Sequence, residues 1–188
     1  MSFSTDIKNE LVRNNYALTE KKALLSALIK INGTLNMSNK TLVIDVRTEN
    51  AKTAKLIFLI VQEIYKIDCR LLVSKKDKLN KNNVYIAQIR NNALEILNDL
   101  EIYKEGNIDA LPTGATLKKE NDKRAYLAGC FLATGSINDP SSKNYHLEIS
   151  TNSLGRMTTI LPSFSRFVKY SSIAGQSGVV SSLKSLIH

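Results

Sequence analysis

Ala23-Leu-Leu-Ser-Ala-Leu-Ile-Lys-Ile-Asn-Gly-Thr-Leu-Asn36 returns later in the chain as Ala125-Tyr-Leu-Ala-Gly-Cys-Phe-Leu-Ala-Thr-Gly-Ser-Ile-Asn138. Apolar residues align with apolar residues in the two copies, and both copies reach a glycine at the same position. A second match follows, in which Leu42-Val-Ile-Asp-Val-Arg-Thr-Glu-Asn50 aligns with Tyr145-His-Leu-Glu-Ile-Ser-Thr-Asn-Ser153. A period of about 100 residues is longer than the roughly 20 to 50 residues of solenoid units. The repeat therefore predicts two copies of one small α/β unit related by pseudo-symmetry.

Composition places the chain among globular proteins that can bury a core. It has 188 residues, of which 43% are hydrophobic and 23% are charged. No apolar run reaches the roughly 18 residues of a membrane span, and the first residues do not form a signal pattern, so we expect a cytoplasmic protein. Cys69 and Cys130 are isolated, and two histidines are too few for a Cys/His metal site, so both cysteines are expected to be buried, reduced thiols.

Hydrophobic periodicity and turn residues predict the order α-β-β-α-β-β-α for the first half, preceded by a short helix. We expect Ser4 to cap that first helix, which runs to about Asn14. The next helix is expected to start at Thr19 and to end at Gly33 in the left-handed conformation. The remaining predicted elements are strands over 34–37 and 41–47, a helix over 50–65, strands over 68–74 and 83–90, and a helix over 92–100.

Changes in composition along the chain suggest its domain limits. Residues 1–108 are predicted to hold the N-terminal helix and the first half, and residues 109–122 a turn-rich linker. The second half is predicted to begin at residue 123, with Asp122 or Lys123 opening its helix, and to be recognisable to residue 155. From residue 156 to 188 acidic residues vanish. We expect this tail to be anomalous and not native-like, the product of a frameshift or a truncated gene.

Small residues recur on one face of both repeated helices. Residues at i, i+3 and i+4 share a helix face, and small side chains let two helix axes approach closely. We therefore predict that the two repeated helices pack side by side through Ala23, Ser26, Ala27, Gly33, Ala125, Ala128, Gly129 and Gly135.

The repeated helices also carry a family resemblance. Leu127-Ala-Gly-Cys-Phe-Leu-Ala-Thr-Gly135 resembles the LAGLIDADG helix of homing endonucleases, and Leu25-Ser-Ala-Leu-Ile-Lys-Ile-Asn-Gly33 resembles a degenerate partner. Arg124-Ala-Tyr-Leu-Ala-Gly129, Gly135-Ser-Ile-Asn-Asp-Pro140 and Tyr145-His-Leu-Glu-Ile149 are similar to the WhiA family of bacterial regulators. The resemblance implies an α+β, LAGLIDADG-like DNA-binding fold used in transcription control of sporulation, cell division and chromosome segregation. Whole family members also carry a helix-turn-helix domain, and we expect this chain to be a fragment without it.

The resemblance locates the positions on which catalysis would depend. A two-metal nuclease needs one carboxylate at the foot of each LAGLIDADG helix to hold divalent cations over the scissile phosphates. The matching positions here are Asn32 and Thr134, and neither is charged. We therefore predict that the nuclease has been lost and that the protein is not an enzyme and needs no metal or other cofactor. Asp45 and Glu148 are expected to be solvated, or paired with a basic neighbour such as Arg47, and not to replace the lost acids.

The formal net charge of +9 is concentrated locally. Residues 66–90 hold seven basic and two acidic residues, and their lysine-rich centre is predicted to be a hairpin. Such a hairpin can neutralise phosphates, but lysines are also an ordinary way to keep a sheet edge soluble, and the sequence alone does not decide. In the saddle-shaped sheet that the resemblance implies, two arginines would lie on the open face. The predicted DNA contacts are Arg47, Arg70, Lys75, Lys76, Lys78 and Lys81, with Lys118 and Lys119 as a second, weaker cluster.

The sequence as a whole predicts a non-catalytic, DNA-binding regulator located on the nucleoid. Its expected partners are double-stranded DNA and cell-division or chromosome-partition proteins, without a membrane or a small-molecule substrate. Two alternatives stay open. One is a LAGLIDADG endonuclease or maturase, active or decayed, and the other is a protein-interaction module that uses the same sheet face.

Overall fold

A computed structural model describes residues 2–38, 40–74, 83–104, 106, 116–139 and 147–149, and the backbone alone of residues 169–173 and 176–180. The described helices are α1 (Phe3–Arg13), α2 (Leu18–Asn32), α3 (Ala51–Tyr65), α4 (Ala93–Asp99) and α5 (Glu120–Thr134). The described strands are β1 (Gly33–Ser38), β2 (Thr41–Thr48), β3 (Cys69–Ser74), β4 (Val84–Ile89), β5 (Gly135–Ile137), β6 (Leu147–Ile149), β7 (Lys169–Ile173) and β8 (Gln176–Val180).

The first half, from α2 to α4, has the predicted order α-β-β-α-β-β-α. Its strands form one antiparallel sheet in the order β1-β2-β4-β3. One face of the sheet packs into the core with the helices, through the buried Ile44, Val46, Ala87 and Ile89. Because successive side chains of a strand point to opposite faces, the residues between these lie on the other face. The mixed α+β fold is confirmed.

The helix α3 begins where the sequence predicts. The Oδ1 atom of Asn50 accepts hydrogen bonds from the N–H groups of Lys52 and Thr53, at 2.9 and 3.2 Å, which satisfies two donors of the first turn. The helix ends at Tyr65, before Lys66 in the left-handed conformation. A strong cap at one end and a left-handed residue at the other thus fix the helix that covers the middle of the sheet.

The predicted cap of the first helix is wrong. The N-cap of α1 is Ser2, whose Oγ accepts a hydrogen bond from the N–H of Thr5 at 3.3 Å. The hydroxyl of Ser4 instead donates to the carbonyl of Ile137 in β5 and accepts from the N–H of the same residue, both at 2.8 Å. Ser4 therefore attaches α1 to the second half. Local sequence could not reveal this role, because 133 positions separate the two partners.

Both repeated helices run directly into a strand, and this changes the role of their terminal glycines. The helix α2 ends at Asn32 as predicted, but Gly33 has φ −79° and ψ 142°, which is extended and not left-handed. A Cβ atom on Gly33 would collide with the carbonyl oxygen of Ile29, and one on Gly135 with the ring of Phe131. Glycine is therefore required at both places because the chain passes so close to the preceding helical turn.

The helices α2 and α5 pack side by side at the centre of the molecule. A Cβ atom on Gly129 would lie 2.6 Å from the carbonyl oxygen of Leu24 and 2.8 Å from the Cβ of Ala27. Towards the C-terminal ends, the Nδ2 of Asn32 donates to the carbonyl of Ala133 at 3.2 Å. The contact that lies further along α2 also lies further along α5, so the two helices run parallel.

The small residues predicted at this contact are buried in both helices, except Gly33, which is half-buried. Ser26 differs in its contact. Its hydroxyl donates to the carbonyl of Leu100, immediately after α4, at 2.9 Å. A carbonyl at a helix C-terminus lacks a partner within its own helix, and a buried hydroxyl needs one, so the two satisfy each other. Ser26 thus joins α2 to α4 within the first half.

The first helix of the second half begins slightly earlier than predicted. The helix α5 starts at Glu120, because the side chain of Asp122 accepts a hydrogen bond from the N–H of Lys119 at 3.0 Å and so caps the first turn. Strands β5 and β6 pair antiparallel after it, and β7 and β8 form a second antiparallel pair. That second pair lies within the tail expected to be anomalous. The domain limits and the nature of the tail stay predictions.

The described side chains offer few groups for chemistry. Both cysteines are free and buried, and burial is the main cause that raises the pKa of Cys69 to about 11 and that of Cys130 to about 12. Within the described ranges, no three His, Cys, Asp or Glu side chains are grouped closely enough to hold a metal ion. None of the described helices has the length and apolar composition that a membrane span requires.

Candidate nucleic-acid interface

The sheet face that lies opposite the helices carries a row of polar residues. The row crosses all four strands, with Thr34 opposite Asp45, Asp45 opposite Gln88, and Gln88 opposite Arg70. Arg47 lies two residues from Asp45 along β2 and Asn36 two residues from Thr34 along β1, so both share this face. We call this surface the open face and define it by Thr34, Asn36, Asp45, Arg47, Arg70 and Gln88.

The structure places both predicted DNA-contact arginines on the open face. Arg47 is exposed in β2 and lies opposite Ile86 of β4. Arg70 is exposed in β3, and its Nε is 3.4 Å from the Oδ2 of Asp68, with the two side chains 56% and 47% exposed. An ion pair this exposed contributes little stability. The guanidinium of Arg70 can therefore exchange Asp68 for a phosphate or a base edge at low cost.

The centre of the open face is a hydrogen-bonded network, and it corrects the expectation that Asp45 is solvated or paired with Arg47. Asp45 is only 8% exposed. Its Oδ2 accepts from the Nδ2 of Asn36 at 2.8 Å, and its Oδ1 accepts from the Nε2 of Gln88 at 2.9 Å. A carboxylate can be buried here because an amide from each neighbouring strand replaces water at each oxygen. Glu148, at the equivalent place in β6, is exposed.

Thr34, Asn36 and Gln88 are the residues of the open face that sequence reasoning missed. Each is a polar residue in a strand where polar and apolar residues alternate, and this alternation is the signal that the sequence offers. It did not identify them, because a strand's alternation shows which face a residue occupies but not which residue of the next strand stands opposite it.

The lysines predicted to contact DNA in the first half cannot be placed. Lys75, Lys76, Lys78 and Lys81 lie outside the described residues, so their role stays a prediction. Their segment connects Ser74, the last residue of β3, to Val84, the first residue of β4.

The second lysine cluster lies far from the open face. Lys118 and Lys119 are exposed and directly precede α5. That helix has 15 residues and is therefore about 22 Å long. It runs parallel to α2, which leads directly into β1. Lys118 and Lys119 thus lie at the opposite end of the helix pair from the sheet, and the structure does not bring them to Arg47 and Arg70.

The C-terminal ends of α2 and α5, where a homing endonuclease would need its acids, are joined by a hydrogen bond. Asn32 donates to the carbonyl of Ala133, and both Asn32 and Thr134 are half-buried. The last turn of α2 also holds Lys30, which is 6% exposed. An amide can donate this hydrogen bond, whereas a carboxylate would place its charge against a carbonyl oxygen. Neither position offers a divalent cation a carboxylate ligand.

Two family models match the chain. They are the WhiA N-terminal LAGLIDADG-like domain, over residues 18–103, and the WhiA LAGLIDADG-like domain, over residues 123–184. A relative from Staphylococcus epidermidis, named probable cell division protein WhiA, is 48% identical over 149 residues. This match covers 79% of the chain and 48% of the relative. The chain therefore spans about half the length of the curated relatives it matches.

Solved structures show the same fold. The N-terminal LAGLIDADG domain of a WhiA protein has a TM-score of 0.67 at 18% identity, over 99% of this chain and 88% of that one. The homing endonuclease I-DmoI, solved in complex with its target DNA, has a TM-score of 0.58 at 14% identity, over 90% of this chain and 91% of that one. These likenesses show the fold; the two family models, which between them match both halves of the sequence, and the 48% identity with the Staphylococcus relative show that the chain belongs to the WhiA family.

Proposed function

We propose that this chain is a non-catalytic, DNA-binding regulator of cell division, chromosome segregation and sporulation-type transcription, and that it contacts double-stranded DNA on the nucleoid through the open face. The observation that carries the proposal is the joint exposure of Arg47 and Arg70 on one face of the sheet. Arginine can contact a phosphate, or the O6 and N7 atoms of guanine, with two hydrogen bonds. The name of the Staphylococcus relative, a probable cell division protein, supports the cell-division role, and the DNA complex of I-DmoI supports contact with duplex DNA.

The spacing of the arginines suits contacts with separate base pairs. Arg47 lies on β2 and Arg70 on β3, with β4 between them. Neighbouring strands are about 4.8 Å apart, so the two Cα positions are separated by about 10 Å across the sheet. Steps along one DNA strand measure about 3.4 Å. The two side chains can therefore reach bases about three steps apart.

The absence of catalysis is proposed from the feet of the two central helices. Cleavage by paired metals requires carboxylates there, and the chain has Asn32 and Thr134 instead. The hydrogen bond from Asn32 to Ala133 uses the amide to close the contact between the halves. These features favour a fold kept for binding over a working or recently active endonuclease or maturase.

A second candidate function rests on the edge of the sheet. Among the described strands β3 has a neighbour on one side only, and Leu71, Leu72 and Val73 are 44%, 41% and 53% exposed. An exposed edge strand can pair with a strand of another protein. This observation favours a protein-interaction module that recruits a cell-division or chromosome-partition protein.

A binding experiment with the whole chain tests the first function against the second. We expect a labelled duplex to be bound at low salt and released as salt rises, with weaker binding by the variant Arg47→Ala/Arg70→Ala. Arg13→Ala, an exposed arginine at the end of α1, is the matched control and should bind like the wild type. If the folded chain does not bind duplex DNA at low salt, the protein-interaction function takes precedence.

A cleavage assay tests the non-catalytic part separately. Supercoiled and linear duplexes incubated with the chain and Mg²⁺ or Mn²⁺ should remain intact. Metal-dependent nicking that disappears when Asn32 or Thr134 is changed would contradict the proposal.

A further inference from the structure

We propose that Asp45 is a positioning residue that fixes the side-chain amides of Asn36 and Gln88 with their carbonyl oxygens directed away from it, where they accept hydrogen bonds from adenine or cytosine. The inference rests on the proposed contact between the open face and double-stranded DNA. It assigns sequence preference to a network of neutral amides around a buried acid, in addition to the arginines.

The chemistry of the network determines how the two amides are oriented. An ionised carboxylate only accepts hydrogen bonds, whereas a side-chain amide donates through its nitrogen and accepts through its oxygen. Asn36 and Gln88 must therefore turn their nitrogens toward Asp45, as the distances of 2.8 and 2.9 Å show. Rotating either amide by half a turn would place a carbonyl oxygen against the carboxylate. One buried acid thus holds two carbonyl groups in a single orientation.

Exposure makes these carbonyl groups available to a ligand. Asn36 is exposed and Gln88 is half-buried, whereas Asp45 is 8% exposed. Among the described residues, the amides of Asn36 and Gln88 have no hydrogen-bond partner other than Asp45. The charge of Asp45 is covered by its two donors, and two arginines lie on the same face of the sheet, which reduces its repulsion of phosphates. The open face therefore presents fixed acceptors beside two exposed arginines.

Fixed acceptors select particular bases. In the major groove the base-edge donors are the amino groups of adenine and cytosine, whereas guanine and thymine offer acceptors there. Asn36 on β1 and Gln88 on β4 lie on either side of β2, about 10 Å apart across the sheet and two residues, about 7 Å, apart along it. The network is expected to favour adenine or cytosine at two positions a few base pairs apart. A freely rotating amide would not discriminate between bases, since it could present either its N–H donor or its carbonyl acceptor.

The test is a selection of binding sites from a randomised duplex by the full chain and by Asp45→Asn. The introduced amide can orient one neighbour as before but must present an N–H group to the other, whose carbonyl then turns inward to accept it, so at least one of Asn36 and Gln88 loses its outward-facing acceptor. Discrimination for adenine or cytosine should fall about fivefold or more at one position. Random-sequence duplex should be bound at least as tightly as by the wild type, because a negative charge is gone. Arg13→Ala, an exposed residue at the end of α1, is the control and should keep the wild-type preference.

Two further variants keep the proposal testable if Asp45→Asn does not fold. Asn36→Ala and Gln88→Ala each remove one carbonyl group, and each should reduce discrimination at a different position of the site. Unchanged site preferences in both variants would overturn the inference while leaving DNA binding intact. A wild-type chain that binds no duplex at low salt would instead overturn the proposed function. A third readout needs no DNA, since the side-chain amide resonances of Asn36 and Gln88 should both shift in Asp45→Asn, and unshifted resonances would show that the network is absent.

Discussion

At position 32, one side-chain atom determines whether the residue could bind a catalytic metal or link the two central helices. An oxygen in place of its Nδ2 would give a carboxylate of the kind that paired-metal cleavage requires. The nitrogen instead donates to the carbonyl of Ala133 at 3.2 Å and links the feet of the two central helices. The same site cannot serve both purposes, because a carboxylate has no hydrogen with which to satisfy that carbonyl.

Replacing Asn32 by aspartate tests this account. We expect Asn32→Asp to lower the free energy of unfolding by about 1–3 kcal/mol at neutral pH, because a half-buried carboxylate would face a carbonyl oxygen. At acid pH the introduced carboxyl group becomes protonated and can donate the hydrogen bond, so the deficit should shrink as pH falls. Urea unfolding at several pH values measures this. Asn15→Asp, at an exposed position, is the control and should shift stability by less than about 0.5 kcal/mol. A deficit in Asn32→Asp that is independent of pH would contradict the explanation.

Asp45 shows the limit of sequence reasoning at the residue scale. Its place in an alternating strand correctly puts it on the polar face, and that pattern alone predicts a solvated side chain. Its partners Asn36 and Gln88 lie 9 and 43 positions away and reach it only through the registers of β1 and β4 against β2. Register depends on which strands pair and how far each is shifted, and a strand's own sequence contains neither quantity.

At the scale of elements, the contact between α2 and α5 depends on the absence of a side chain at Gly129. A methyl group there would lie 2.6 Å from the carbonyl oxygen of Leu24 and 2.8 Å from the Cβ of Ala27. Gly129→Ala should therefore destabilise the protein by about 1–2 kcal/mol, since overpacking outweighs the gain in helix propensity of about 1 kcal/mol. Thermal unfolding of both single variants and of Ala27→Gly/Gly129→Ala completes a cycle in which we expect favourable coupling. A single Gly129→Ala variant as stable as the wild type would show that the helices are not in close contact.

The helix α4 is joined to α2 and α3 through one carboxylate. Asp99 lies 2.9 Å from the Nζ of Lys22 and accepts a hydrogen bond from the hydroxyl of Tyr65 at 2.7 Å. Burial acts to raise the pKa of Asp99, but the hydrogen bonds from Lys22 and Tyr65 and the charge of Lys22 together lower it. Burial and Asp99 in turn raise the pKa of Tyr65, so its hydroxyl remains a donor.

The depressed pKa of Asp99 gives stability a definite dependence on pH. Because the folded state holds the carboxylate more strongly than the unfolded chain, its contribution is present above about pH 4 and is lost as pH falls through the lower folded pKa. Asp99→Asn should therefore be less stable than the wild type at neutral pH, with a difference that closes on acidification. Tyr65→Phe removes one of the two hydrogen bonds and should show part of the same effect. Urea midpoints across this range measure both, and a difference that grows toward acid pH would contradict the assignment.

The order of elements could be predicted from sequence because periodicity is local, whereas several of their ends could not. The α-β-β-α-β-β-α order follows from spacings within each segment, and α3 begins after Asn50 as expected. For Ser4 and Gly33 the sequence predicts the commonest roles of their residue types, a cap and a left-handed turn. Their actual roles depend on Ile137 and on the carbonyl of Ile29, which only the packed structure brings close.

At the scale of the whole molecule, α2 and α5 define an axis with different charged surfaces at its two ends. The open face begins immediately after Gly33, where α2 enters the sheet. Lys118 and Lys119 lie at the other end, about 22 Å away along α5. A duplex laid on the open face therefore meets only part of the net charge of +9. In the proposed binding mode, the number of cations that contact phosphates is therefore smaller than the net charge suggests.

The distance between the open face and the second lysine cluster can be tested by comparing two sets of lysine variants. Lys75, Lys76, Lys78 and Lys81 lie in the segment that connects β3 to β4, and we expect them to neutralise phosphates when the open face binds. Replacing all four by alanine should weaken binding across sequences and reduce the salt dependence, by about 0.9 in the logarithmic slope for each phosphate that is no longer neutralised. Lys118→Ala/Lys119→Ala is the matched control and should leave the slope unchanged.

Anisotropy titrations of one duplex over a series of salt concentrations measure both slopes. An equal reduction of slope per lysine in the two variants would show that DNA is held by charge without a preferred face, and an unchanged slope in the fourfold variant would place the phosphate-binding cations on another surface.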